Sequence, residues 1–352
     1  GGGTGGHLFP AVAVAEEVLG RNPENAVLFI GTERGLEGKI LRGMGFQLKT
    51  IEMEGIRGRG VINIIRTLFK VPRSMVQSRS IIRDFHPDIV LGVGGYASGP
   101  AVMAAYFMGI RTAIAEQNVL PGFTNRILGK FVDKSFISFP ETKEWFPEKR
   151  VVITGNPVRT GFLNYSKKIH KSDDKFTLLI FGGSQGASSI NMAAVEALNY
   201  LEGIKDRLKI IHQTGTRDLD KVSKAYNDRN IDAEVYPFIN DMVSAYRSAD
   251  LLICRSGATS IAEITASGKA ALFIPYPFAA GNHQALNARA LVDKGAAEMI
   301  SERSLNGERL AEVIERLYRA PERIREMKKK SAILGNKRAA ADITDECLDL
   351  IG

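Results

Sequence analysis

Chemistry in this 352-residue chain concentrates in three glycine-rich runs: Gly1-Gly2-Gly3-Thr4-Gly5-Gly6-His7, Gly94-Gly95-Tyr96-Ala97-Ser98-Gly99-Pro100 and Gly182-Gly183-Ser184-Gln185-Gly186-Ala187. The first and third stand directly before helix-like sequence, and the third follows an apolar run, Phe176–Phe181. A glycine loop that turns a strand into a helix exposes backbone N–H groups at the positive end of the helix dipole, which suits a phosphate or diphosphate. Two such loops, one near the start and one near the middle, point to two nucleotide-fold halves. The pattern GxxxxGK[ST] is absent, so an ATP-type P-loop is not expected. Apart from Glu33, no acidic residue follows the run Phe29-Ile30-Gly31-Thr32, so NAD fits poorly.

Single side chains add detail. His7 closes the first run, at the first turn of a helix. A helix N-terminus disfavours imidazolium, so His7 is expected to be neutral and able to take a proton. Glu116-Gln117-Asn118 and Gly155-Asn156-Pro157-Val158-Arg159 each follow an apolar run, at the carboxyl edge where open α/β sheets bind ligands. Arg159 offers a forked donor set for a diphosphate. The densest polar cluster is Arg255–Glu263, where Glu263 lies about one turn into a helix and could accept hydrogen bonds from a ribose diol. A capped helix start with an early Glu gives the same pattern. His283-Gln284 suits sugar hydroxyls.

These residues must be held by alternating strands and helices. Strands are expected at 26–31, 89–93, 112–115, 134–138 and 151–154, then at 176–181, 208–213, 233–237, 251–254 and 271–275. Helices are expected at 10–19, 99–108, 188–201, 241–248, 260–267, 284–294 and 305–317, with a helical tail over 322–350 that Gly335 interrupts. The alternation is that of an α/β protein with parallel sheets. A glycine loop of the first kind normally follows a strand, so a short strand before Gly1 is also expected. The polar, basic stretch 165–175 reads as a linker. Domains are therefore expected over 1–160 and 161–335, with 336–352 a last helix packing back on the first.

Composition narrows the partners. Lys and Arg number 47 against 39 Asp and Glu, a net charge of +8 that favours an anionic partner. The chain shows no basic tail, RNP-like motif or zinc-finger spacing, so nucleic acid is not expected. Cys254 and Cys347 form no CxxC pair and read as buried thiols. No apolar run reaches the roughly 18 residues of a membrane span. The stretch Arg57–Arg73 is different in kind: Ile62, Ile65 and Phe69 accompany Arg66, Lys70 and Arg73, whose spacing makes a basic stripe on one helix. Such a helix can rest on anionic lipid headgroups, and a core helix with a solvated basic edge has the same pattern.

The three glycine runs, Glu116-Gln117-Asn118, Gly155–Arg159, Arg255–Glu263 and His283-Gln284 occur in one order across the chain. In that order the sequence resembles the MurG family of peripheral membrane glycosyltransferases, which make lipid II of bacterial peptidoglycan. The resemblance implies a GT-B fold, two Rossmann-like domains with parallel sheets facing a cleft. It implies inverting transfer of GlcNAc from UDP-GlcNAc to the C4 hydroxyl of MurNAc-pentapeptide on undecaprenyl diphosphate, at the cytoplasmic face of the plasma membrane, with no metal required. Carried over residue by residue, it puts Ser184 and Arg159 at the UDP diphosphate, the Ile239 backbone at the uracil and Glu263 at the ribose. Ala258, Thr259, Ser260, Ile261 and Ala262 would line the nucleotide. Gln284, His283 and Asn118 would read the sugar. Thr4, Gly5 and Gly6 would line the cleft beside the acceptor diphosphate, with Tyr96, Ala97, Ser98 and Gly99. His7 is the first candidate base and Glu116 the second. Another UDP-sugar GT-B enzyme, such as a lipid glycosyltransferase or an epimerase, and a non-catalytic UDP-sugar-binding protein are the alternatives.

Overall fold

A computed structural model describes residues 5–32, 37–53, 61–163, 175–183 and 185–352, with backbone only at 37, 39–40 and 61–70. Thr4, Ser184, all of the expected linker over 165–175 except Lys175, and the side chains of Ile62, Ile65, Arg66, Phe69 and Lys70 lie outside the described residues. The chain divides into two compact units, Gly1–Arg159 with Asn336–Gly352, and Thr160–Gly335.

The first unit runs α1 (Gly5–Arg21), β1 (Leu28–Thr32), α2 (Glu37–Gly43), β2 (Gln47–Ile51), α3 (Val61–Phe85), β3 (Ile89–Gly92), α4 (Ser98–Phe107), β4 (Arg111–Glu116), α5 (Phe123–Leu128), β5 (Lys134–Ile137) and β6 (Val151–Ile153). The second runs α6 (Thr160–Leu163), β7 (Phe176–Phe181), α7 (Ser188–Ala197), β8 (Leu208–Gln213), α8 (Leu219–Asn227), β9 (Ala233–Tyr236), α9 (Met242–Ser248), β10 (Leu251–Cys254), α10 (Ala258–Ala266), β11 (Ala270–Phe273), α11 (His283–Val292), β12 (Ala297–Met299), α12 (Gly307–Arg319) and α13 (Pro321–Leu334). The last helix, α14 (Ala339–Ile351), returns to the first unit. There Ala340, Ile343 and Cys347 pack with Ala13, Val14 and Phe136, and Arg21 and Lys134 pair with Asp345 and Glu346.

Every strand pairing is parallel. In the second unit the order is β12-β11-β10-β7-β8-β9, the doubly wound arrangement that reverses direction between the first and fourth strands of the domain, β7 and β10. Both strands are covered by helices on two faces, which is why they are continuous apolar runs rather than alternating ones. Leu178, Ile180, Leu251 and Ile253 meet Ile190, Leu310 and Ile314 in one core. In the first unit β3-β4-β5-β6 form one sheet and β1-β2 another. An apolar cavity of about 440 Å³ is lined by β1, β3, α1 and α14, among other segments.

The sequence reading places α1 too late. It starts at Gly5, so Pro10 sits in its second turn and not its first. Pro10 has no N–H to donate to Gly6, but its φ is compatible with a helix, so a helix can pass through it. The strands β2 and β12 went unread: β2 carries exposed polar residues that mask its pattern, and β12, at the sheet edge, is only three residues long. Among the described residues no helix is long and apolar enough to cross a membrane.

Candidate active site

In the first unit the loops at the carboxyl ends of β3 and β4 meet the start of α1. His7 Nδ1 lies 3.0 Å from Gln117 Oε1. Gln117 is buried and its Nε2 donates to the carbonyls of Val93 (3.2 Å) and Ala115 (3.1 Å). Its amide orientation is thereby set, so Oε1 is an acceptor and Nδ1 of His7 must carry the proton. The neutral ring then has its lone pair on Nε2. Burial holds the His7 pKa below its ordinary value; the charge of Glu116 and the hydrogen bond to Gln117 oppose this without overcoming it. Gly94, at φ +88°, is the residue this ring requires, because a Cβ there would come within 2.8 Å of the imidazole.

Glu116 is spent differently. Oε1 accepts from Asn118 N (3.0 Å) and Nδ2 (3.2 Å), and Oε2 from Gly122 N (3.0 Å) and Asn125 Nδ2 (2.9 Å). Its carboxylate ties down the turn after β4. Ala97 and Ser98 are buried, and Ser98 Oγ donates to the Gly94 carbonyl at 2.6 Å, so their side chains face the protein and only backbone groups remain for a ligand. Tyr96 is exposed and Gly99 lies in the first turn of α4. Arg159 stacks its guanidinium over Phe9, 5.0 Å from the ring centre.

In the second unit the third glycine run follows β7 and the Arg255–Glu263 segment follows β10, so the two flank the point where the sheet reverses direction. Open α/β sheets bind ligands at that point. Asp241 and Asn306 cap α9 and α12 with their side chains, whereas α7 and α10 begin at Ala187 and Gly257 with no side-chain cap. The first-turn N–H groups of α7 and α10 can therefore serve an anion. The glycines are steric requirements: a Cβ at Gly186 would overlap the Thr214 carbonyl, and one at Gly215 the Gln185 carbonyl.

Glu263 is buried in α10, close enough to β10 that its charge, after burial, helps raise the Cys254 thiol. Ala258 and Ile261 are buried beside it; Thr259, Ser260 and Ala262 are half-buried. Arg255 is a structural hub: it donates to the carbonyls of Ile274 and Pro275 and to Ser189 Oγ, pairs with Glu302 and lies over Tyr276. Gln284 Oε1 accepts from Tyr276 N at 2.9 Å. His283 Nδ1 donates to the Ala280 carbonyl at 2.9 Å. Ile239 is buried, and its N–H donates to Gln213 Oε1 at 2.8 Å.

Sequence reasoning gave no role to two residues, Gln117, which it quoted only within a motif, and Gln213. The available signal was faint. Each is a glutamine where an apolar strand ends, and a glutamine there reads as an ordinary polar turn. Among the described residues no group of three or more His, Cys, Asp or Glu side chains could hold a metal ion.

Two parallel-sheet units with ligand-competent carboxyl edges make up a GT-B fold. The chain belongs to glycosyltransferase family 28: residues 1–137 match the family's N-terminal domain and residues 177–346 its C-terminal domain. It is 56% identical over 351 residues to the UDP-N-acetylglucosamine–N-acetylmuramyl-(pentapeptide) pyrophosphoryl-undecaprenol N-acetylglucosamine transferase of Syntrophus aciditrophicus, covering 100% of this chain and 97% of that protein. The transferase of the same name from Myxococcus xanthus is 49% identical over 351 residues, 100% of this chain and 92% of that protein. Among solved structures, Acinetobacter baumannii MurG matches with a TM-score of 0.81 at 32% identity, covering 99% of this chain and 97% of that one.

Proposed function

We propose that this chain moves GlcNAc from UDP-GlcNAc to the C4 hydroxyl of MurNAc-pentapeptide on undecaprenyl diphosphate, converting lipid I to lipid II with inversion at the anomeric carbon. The observation that carries this reading is the 56% identity across the full chain to a transferase named for that donor and acceptor.

The reaction is a single displacement. The acceptor O4 attacks C1 of GlcNAc as the bond from C1 to the UDP oxygen breaks, and that electron pair leaves on the diphosphate. His7 Nε2 takes the O4 proton. His7 is favoured over Glu116 because its lone pair is directed by Gln117, whereas both Glu116 oxygens are engaged. The negative charge developing on UDP is met by N–H groups at the starts of α7 and α10, with Arg159 and Ser184 assisting, and no metal is needed. Glu263 accepts from the ribose diol, and Ile239 meets the uracil through its carbonyl. Ala258–Ala262 line the nucleotide. Gln284, His283 and Asn118 read the sugar. Thr4, Gly5 and Gly6, with the backbone from Tyr96 to Gly99, face the acceptor diphosphate.

The enzyme works at the cytoplasmic face of the plasma membrane, held to anionic lipid by α3, and takes no nucleic acid. Arg73 of that helix is exposed and pairs with Glu52 at 2.9 Å. Changing Arg66, Lys70 and Arg73 together to Glu weakens binding to vesicles containing anionic lipid; unchanged binding by the folded variant refutes the α3 contact. The activity is tested by incubating the protein with radiolabelled UDP-GlcNAc and a short-chain lipid I analogue. Labelled disaccharide-lipid with matching UDP release is expected. UDP release without transfer would indicate an epimerase or hydrolase, and UDP binding without turnover a binding protein.

A further inference from the structure

We propose that Gln213 is a positioning residue that holds the two ends of the donor site in register, the loop for the diphosphate and the peptide for the nucleobase. This rests on the reading of the second unit as the UDP-GlcNAc site.

Gln213 is the last residue of β8, which lies between β7 and β9 in the sheet. Its side chain is 1% exposed. On one side Nε2 donates to the Gly183 carbonyl at 2.8 Å, in the loop that follows β7. On the other, Oε1 accepts from Ile239 N at 2.8 Å, in the segment that follows β9. A carbonyl can only accept and a backbone N–H can only donate, so the amide has one possible orientation. A single planar group therefore spans two loops that arrive from different strands.

The glycine run needs such a tie. Gly183 and Gly186 stand at φ +94° and +74°, a region glycine enters at little cost, and a Gly186 N to Gly183 O bond (3.0 Å) joins the two. The segment it is tied to is itself anchored, because Thr214 N donates to the Tyr236 carbonyl at 2.9 Å. With the spacing of the loop and the Ile239 peptide set before the ligand arrives, a molecule carrying both a base and a diphosphate engages both at once. A fragment carrying one of them gains nothing from the spacing.

The test compares the full-length protein with Gln213→Glu and Gln213→Leu by calorimetric titration with UDP, uridine and inorganic diphosphate, and by donor kinetics. Glu keeps the length and an acceptor for Ile239 but cannot donate to Gly183 when ionised; Leu removes both bonds. UDP affinity is expected to fall tenfold or more in each variant, while uridine and inorganic diphosphate each lose less than threefold. The donor KM should rise more than kcat falls. Equal factors for all three ligands would mean general loosening and would overturn the proposal, as would unchanged UDP affinity in a folded variant. Should the Leu variant fail to fold, the near-isosteric Glu variant decides alone. A wild-type protein that binds no UDP removes the donor-site reading and this inference with it, whereas UDP binding indifferent to Gln213 removes the inference only.

Discussion

Each unit uses a buried glutamine at the end of a parallel strand, and the two are used in opposite ways. Gln117 donates both its amide hydrogens to strand-end carbonyls and turns its oxygen to a titratable ring. Gln213 places its amide between two backbone groups and touches nothing that titrates. The buried histidines differ in parallel. His7 has its proton directed to Nδ1 and its lone pair on Nε2. His212 has both nitrogens engaged, Nδ1 with Tyr226 Oη at 2.8 Å and Nε2 with Asn191 Oδ1 at 3.0 Å. In the first unit the buried imidazole keeps a nitrogen lone pair, while in the second the buried imidazole and amide have their polar atoms engaged by other groups of the fold. That division suits an enzyme in which one half activates an acceptor and the other holds a donor.

The sharpest way to break this comparison is His7→Ala. With both substrates saturating, kcat should fall by about 100- to 10,000-fold, the range of a lost general base, with UDP affinity unchanged. A loss of only a few-fold would remove His7 as the base. Next in size is Glu263→Gln, which exchanges a charged acceptor for a neutral one: the donor KM should rise roughly tenfold, equivalent to about 1.4 kcal/mol, with the pH profile of kcat unaltered. A shifted profile would place Glu263 in the proton-transfer step and erase the division between the units.

The pH dependence should follow His7. Its pKa is lowered by burial, so the wild-type rate should be flat across neutral pH and decline only as acid protonates the ring. Gln117→Glu puts a carboxylate against the imidazole, favours the charged ring and should move this acid limb upward by about one pH unit. An unmoved limb would mean that a different group titrates.

His212 makes a prediction about stability instead of rate. Its pKa is pushed down to about 3 by burial. An unfolded chain takes the proton near the ordinary value of about 6.5 and the folded one does not, so the contribution is complete above that value and declines as pH falls toward 3. The slope is about 1.4 kcal/mol per pH unit at most, and His212→Gln should flatten denaturation midpoints measured between pH 6.5 and 4.5 by a comparable amount. The smallest expected effect is that of EDTA, which should leave the transfer rate unchanged; inhibition reversed by a divalent cation would show that the diphosphate's charge is met by metal as well as by N–H groups.

The fold class was legible because the buried strands announce themselves. Phe176–Phe181 and Leu251–Cys254 begin and end where the apolar runs do, since a strand covered on both faces has no polar alternation to obscure it. Edge strands such as Gln47–Ile51 lack that property. Within the candidate site, the glycine runs and Glu263 were visible as residue types in position. Gln117 and Gln213 were not, because their partners lie 110 residues away at His7 and 26 to 30 residues away at Ile239 and Gly183.

The amino-acid sequence by itself determined that this is an α/β chain with ordered glycine runs at strand ends, and thus where anions could be received. Only the tertiary structure decided which polar atoms are left to receive them. Ser98 and Glu116 looked available and are committed to their own loops, while His7 has its tautomer chosen by a residue from another strand. The reason is that hydrogen bonds are directional and saturable. Whether a side chain is available depends on which distant carbonyls and N–H groups the order of a parallel sheet brings beside it, and that order is a property of the folded chain.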